Sequence, residues 1–97
     1  MRIISFAAIR DYVTKHADAD ILLRDWYKKT EKAEWTCLAD IKQTFNSVDY
    51  VANDRYVFNI KGNDYGLVVI VLFAAKKVFI RFIGTHKEYD KKDCSNA

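Results

Sequence analysis

Apolar residues recur every three or four positions in the first half of the chain and every two positions in the second. Phe6, Ile9 and Val13 fall at i, i+3 and i+7 behind Ser5, a suitable N-cap, and predict a first helix. Asp18 is the expected cap of a second, with Ala19, Leu22, Leu23 and Trp26 on one face and a charged end at Lys28, Lys29, Glu31 and Lys32. Thr36 is the expected cap of a third, with Leu38, Ile41 and Phe45 inward. Ahead of them Met1 to Ser5 is a short apolar strand. Such stripes read first as core-facing surfaces.

From Val48 onward the period is two. Arg55 to Lys61 alternates, with Tyr56, Phe58 and Ile60 on one face and Val57, Asn59 and Lys61 on the other. Gly62-Asn63 is a hairpin signal. Leu67 to Phe73 is apolar on both faces, as expected of a central strand covered on both sides. After a turn at Ala74 to Lys77 comes Val78 to Ile83, in which Arg81 interrupts the face shared by Phe79 and Ile83. The expectation is a three-stranded antiparallel meander with helices over one side, an α+β class.

Composition narrows this further. Ninety-seven residues, half of them apolar, are expected to make a single domain spanning 1–97, with an unanchored tail over 91–97 that frays. No run approaches the roughly 18 apolar residues of a membrane span, and no export signal is evident. Cys37 and Cys94 obey no metal spacing, so free thiols in a reducing cytoplasm are expected. The net charge of +3 is uneven: residues 1–54 carry eight Lys/Arg against nine Asp/Glu, and residues 55–97 eight against four. A basic sheet half suits a polyanion, although small domains are often this asymmetric by chance.

No phosphate-binding glycine loop, nucleophile elbow or zincin motif occurs. His16 and His86 stand far apart without a ligand cluster, so neither a metal nor another cofactor is expected. Thr85-x-x-Glu88 is a helix-start signature at the end of the last strand. It delivers His86, Lys87 and Tyr89 within one turn of helix, with Asp90 able to orient the imidazole. Taken alone, this segment reads more simply as a solvated terminal helix. The cations Arg55, Lys61 and Arg81 on sheet positions, with Tyr56 and Tyr65 available to stack on bases, add an RNA-binding reading. RNA carries its own 2′-hydroxyl nucleophile, so a metal-free ribonuclease needs only a base, an acid and positive charge on the phosphate.

The stretch Tyr56-Val57-Phe58-Asn59-Ile60-Lys61-Gly62-Asn63, an apolar strand, and then Val78 to Ile83 followed by Gly84-Thr85-His86-Lys87-Glu88-Tyr89-Asp90 resembles the HigB group of toxin–antitoxin mRNA interferases. The match covers roughly residues 50–92, with weaker agreement over Met1 to Ser5. The resemblance implies a RelE-like α+β fold, in which an antiparallel sheet of N-terminal strand plus C-terminal meander packs on N-terminal helices before a short C-terminal helix. It implies metal-independent cleavage of mRNA on the ribosome, inhibition of translation in the cytoplasm, and a HigA-like helix-turn-helix antitoxin through which operator DNA is bound. Carried over by residue, His86 and Tyr89 are catalytic candidates with Lys87 beside them, while Arg81, Lys61 and Asn63 would hold RNA.

One position departs from that pattern. Relatives of this kind carry arginine where this chain has Gly66, at the start of the central strand. An arginine there would be placed to clamp the scissile phosphate, which glycine cannot do. The departure implies an attenuated or inactive toxin. It also keeps open an alternative, a non-catalytic RNA- or protein-binding module of the same fold.

Overall fold

The computed structural model describes residues 1–4, 6–61, 64–85 and 88. The order is β1 (Arg2–Ile4), α1 (Phe6–Lys15), a 3-10 turn (Ala17–Ala19), α2 (Asp20–Lys32), α3 (Leu38–Thr44), β2 (Val48–Ala52), β3 (Arg55–Ile60), β4 (Tyr65–Leu72) and β5 (Lys77–Thr85). The α+β class holds, with a five-stranded sheet in the order β1-β5-β4-β3-β2.

The sheet is mixed. The meander has four strands, because Val48–Ala52 pairs antiparallel with β3 through a two-residue turn at Asn53-Asp54. Both turn residues have positive φ, 52° and 64°, the geometry that a tight hairpin of this handedness requires and that Asn and Asp tolerate best. The N-terminal strand joins β5 in parallel, Ile3 opposite Val78, which the long connection between them allows: three α-helices and then strands β2 to β4. The Met1 ammonium donates to the Glu31 and Ala33 carbonyls, fastening β1 to the end of α2.

Alternation in β3 sends Tyr56, Phe58 and Ile60 into the core, and β4 contributes Tyr65, Leu67, Val69 and Val71 to the same face. Helices supply Ile9, Leu23, Trp26 and Ile41. Leu22 is the exception among the expected stripes: at 39% exposed it lies off the face shared by Ala19, Leu23 and Trp26. β4 is the central strand and is buried on both faces, for Val68 packs with Val57, Val51 and Phe82 on the far side.

The capping expectations shift by one or two residues. Asp18 lies in the 3-10 turn and α2 begins at Asp20, while Cys37 rather than Thr36 precedes α3. Thr36 still closes that end, because its N–H and hydroxyl both donate to Asp40 Oδ2. The Ser5 cap, the Gly62-Asn63 turn, the fate of Cys94 and the tail over 91–97 lie outside the described residues. Cys37 is a free, exposed thiol. Among the described residues no helix is long and apolar enough to cross a membrane.

Candidate functional site

The strand register brings the ends of β3 and β5 and the start of β4 together. Tyr65 lies opposite Ile60 and Thr85, and Gly66 lies opposite Asn59 and Gly84. By alternation Tyr65 faces the helices, whereas Gly66 and Gly84 stand side by side on the opposite face. Gly84 is closely covered there. A Cβ on it would meet the Phe82 ring at 2.6 Å and Glu88 Cβ at 3.1 Å, so the ring lies across the glycine.

The helix-start signature has the expected geometry. Glu88 Oε1 accepts from the Thr85 N–H and hydroxyl at 3.0 Å, and the Glu88 N–H donates back to Thr85 Oγ1 at 3.3 Å. Those donors, the backbone N–H first, hold the Glu88 carboxyl below its ordinary range. His86, Lys87, Tyr89 and Asp90, which this segment carries, lie outside the described residues, as does Asn63.

On the helix side of this sheet end stands a cluster drawn from remote parts of the chain. Asp18 bridges two elements: Oδ1 accepts from the Tyr65 hydroxyl at 2.6 Å and Oδ2 from Lys61 Nζ at 2.9 Å. The Tyr65 hydrogen bond, then that of Lys61, lowers the Asp18 carboxyl, while Asp18 raises the Lys61 ammonium and pushes Tyr65 up to about 12. His16, just past α1, stacks on Tyr12 with centroids 4.2 Å apart and planes 14° from parallel. Its ring meets Tyr65 edge-on at 5.8 Å. Burial, then the charge of Glu88, lifts Tyr12 to about 12. Both phenols therefore stay protonated at neutral pH.

The structure sorts the remaining sequence candidates. Lys61 is at this end, paired with Asp18 rather than unengaged. Arg55 is at the other end of β3, opposite Ile70, where its Nη1 donates to the Asn53 carbonyl at 2.9 Å. Five residues of extended strand, roughly 17 Å, separate it from Ile60, so Arg55 and Lys61 do not converge. Arg81 sits at an irregularity: Val68 pairs with Phe82 and Val69 with Ile80, leaving Arg81 as the extra residue of a bulge. The bulge separates the face of Phe79 from that of Ile83, which alternation alone would have merged. Arg81 instead lines a cleft of about 420 Å³ with Asp11, Tyr12 and Lys15 of α1. Tyr56 and Tyr65, considered as base-stacking platforms, are each 6% exposed and belong to the core.

Sequence reasoning gave Tyr12 no role, weighed His16 only as a metal ligand and took Asp18 for a helix cap. Tyr12 and His16 are four apart, the spacing of neighbours on one helical face, and that was the one local signal available. Nothing local links Asp18 to residues 43 and 47 positions away.

Comparison with known proteins agrees with this architecture. The HigB toxin family, the RelE-like toxic component of a toxin–antitoxin system, matches residues 19–92. The mRNA interferase toxin HigB of Escherichia coli K12 is 31% identical over 93% of this chain and 88% of its own length. The mRNA interferase HigB of Shigella flexneri shows the same identity and coverage. That of Escherichia coli O6:H1 is 26% identical over 94% of this chain and 90% of its own.

Proposed function

This chain belongs to the HigB toxin family of toxin–antitoxin systems, and from that premise we propose that it is an mRNA endoribonuclease acting without a metal, on translating ribosomes in the cytoplasm. The observation that carries this reading is the meeting of Asn59, Gly66, Gly84 and the Thr85–Glu88 helix start at one end of the sheet. In the proposed site His86 and Tyr89 exchange protons with the 2′-hydroxyl and the leaving 5′-oxygen. Lys87 and Asn63 hold the strand from the same end, and Arg81 meets RNA at the α1 cleft. Lys61 contributes its charge when a phosphate displaces Asp18, and Arg55 acts only on a longer strand crossing the sheet. A family antitoxin completes the system; we propose a HigA-like helix-turn-helix protein, through which operator DNA is bound.

Gly66 attenuates this activity. An arginine at that register would extend from the face of the sheet shared with Gly84 and Asn59, where its guanidinium could engage phosphate in two parallel hydrogen bonds. The same glycine favours the second reading, a module that grips RNA or a partner protein without cleaving. Induction of Gly66→Arg from a tight promoter, with primer extension on a translated message, tests both. The expected result is arrested growth with new cuts in the message that disappear in Gly66→Arg/His86→Ala. Intact message and normal growth, with folded Gly66→Arg present, would sink the nuclease reading and leave the binding module.

A further inference from the structure

We infer that the open edge of β1 takes an acidic, extended segment of a partner protein as an added strand, held by Arg2, Lys76 and Lys77. The surface lies away from the sheet end described above. β5 runs nine residues from Lys77 to Thr85, so roughly 26 Å of strand separates the two. The inference goes beyond the nuclease reading and stands without it.

The backbone supplies the first reason. β1 is an edge strand, paired with β5 on one side only. In a parallel ladder, alternate residues turn both of their backbone groups towards the neighbouring strand. The Arg2 N–H donates to the Lys76 carbonyl at 2.8 Å, so Arg2 and Ile4 are the residues facing β5. Ile3 therefore turns its N–H and carbonyl to the open edge, and no turn or loop among the described residues bonds them. Such unpaired edge groups are the template on which another strand adds.

Charge supplies the second. Beside this edge is a cleft of about 770 Å³, lined by Tyr27 and Glu31 of α2 and by residues 75–77 between β4 and β5. Arg2, Lys76 and Lys77 line it too, and among the described residues none of the three is ion-paired. Their placement is not what folding alone favours. Arg2 and Lys77 are register partners, so two like charges stand on one face, one strand spacing (roughly 4.8 Å) apart. Lys76 has a φ of 56°, a left-handed conformation that glycine or asparagine adopts with less strain. The carboxylate in the lining, Glu31, is engaged by the Tyr27 hydroxyl.

Cations alone would hold phosphate equally well, and two features favour a peptide. The outward groups of Ile3 match a peptide main chain, for which a sugar–phosphate backbone has no counterpart. Single-stranded nucleic acid is gripped by exposed rings as well as cations, yet the exposed Tyr50 lies on β2, at the opposite edge of the sheet. An extended peptide puts alternate side chains on one face. Acidic residues at every second position therefore meet these cations while the main chain pairs with Ile3.

The test titrates the full chain into a fluorescent peptide alternating Glu with Thr. Its companions carry Gln for Glu, or N-methyl groups at the alternate residues that would face β1; the competitor is oligothymidylate. The parent peptide should bind, and the Gln and N-methyl forms should each bind at least about tenfold more weakly. The Ile3 amide signal should move on binding and exchange more slowly. Lys77→Glu should weaken binding by at least about tenfold while melting no lower than wild type, because it sets an opposite charge across from Arg2. Lys42→Glu, an exposed reversal on α3, should leave binding within about twofold. Failure of the parent peptide to bind would overturn the inference. So would equal binding of the N-methyl form, or equal weakening by Lys42→Glu. Tighter binding of oligothymidylate than of the peptide, lost in Lys77→Glu, would make this a nucleic-acid surface instead.

Discussion

The aromatic centre of the core and the polar cluster at the sheet end use aromatic rings for different purposes. Beneath the middle of the sheet, Trp26, Trp35, Phe45 and Phe58 contact one another edge-on or stacked at centroid distances of 5.3–6.2 Å. Among the described residues, Trp26 Nε1 and Thr30 Oγ1 are buried there without partners, as the Tyr12 hydroxyl is at the sheet end. At the sheet end, Tyr65 is equally inaccessible, yet its hydroxyl is bonded to a carboxylate that also holds Lys61. In the core, ring area carries the energy, against a cost of about 1–3 kcal/mol for each orphaned donor. At the sheet end a ring also carries a hydroxyl tied into a charged pair, Tyr65 with Asp18 and Lys61. Stability and chemistry are therefore expected to separate between the two regions.

Trp26→Ala is the most forceful way to test that separation. Loss of this ring should cost about 3–5 kcal/mol, measured by denaturant unfolding, because a cavity opens against Phe58 and helix α2. The pH dependence of what stability remains should keep its wild-type shape; a changed shape would mean that the two regions are coupled. Next in size is Gly84→Ala. The added methyl overlaps the Phe82 ring, which is half-buried and can swing, so the cost should fall near about 1 kcal/mol, the low end for overpacking. The contact with Glu88 places this change at the helix start as well, so amide exchange at Glu88 should quicken more than in the core. Equal quickening everywhere would argue against a local effect.

Asp18→Asn should alter the shape of the pH–stability curve more than its height. The Asp18 carboxyl is depressed, so its contribution is present above the ordinary carboxylate range and lost as pH falls below about 4. Tyr65 is raised from 10.0 to about 12, so its contribution is present below 10 and lost as pH climbs between those values. Both losses should shrink in the variant. Acid and alkaline limbs identical to wild type, in urea midpoints measured from pH 3 to 11, would show that the bridge contributes nothing to folding.

Much of the architecture was readable from local pattern. Period-two alternation identified the inward set Tyr56, Phe58 and Ile60, and the double-faced apolar run identified β4 as central. The Thr85–Glu88 capping geometry also followed from spacing, since a capping box needs only residues three apart. Arg81 was misplaced because a bulge shifts alternation by one residue without any mark in composition. Tyr56 and Tyr65 looked like binding platforms because burial on a given face depends on which layer covers it.

The sequence by itself determined the kinds and order of the main elements, the family resemblance and the segment that starts a helix after the last strand. These depend on interactions within a few residues, or on motifs that survive as strings. Only the tertiary structure decided that β1 runs parallel beside β5, that Lys61 is held by Asp18, and that His16 stands against Tyr65. Each of those contacts joins residues more than 40 positions apart, where nothing in neighbouring sequence constrains the pairing and only the packing of helices on the sheet brings the groups together.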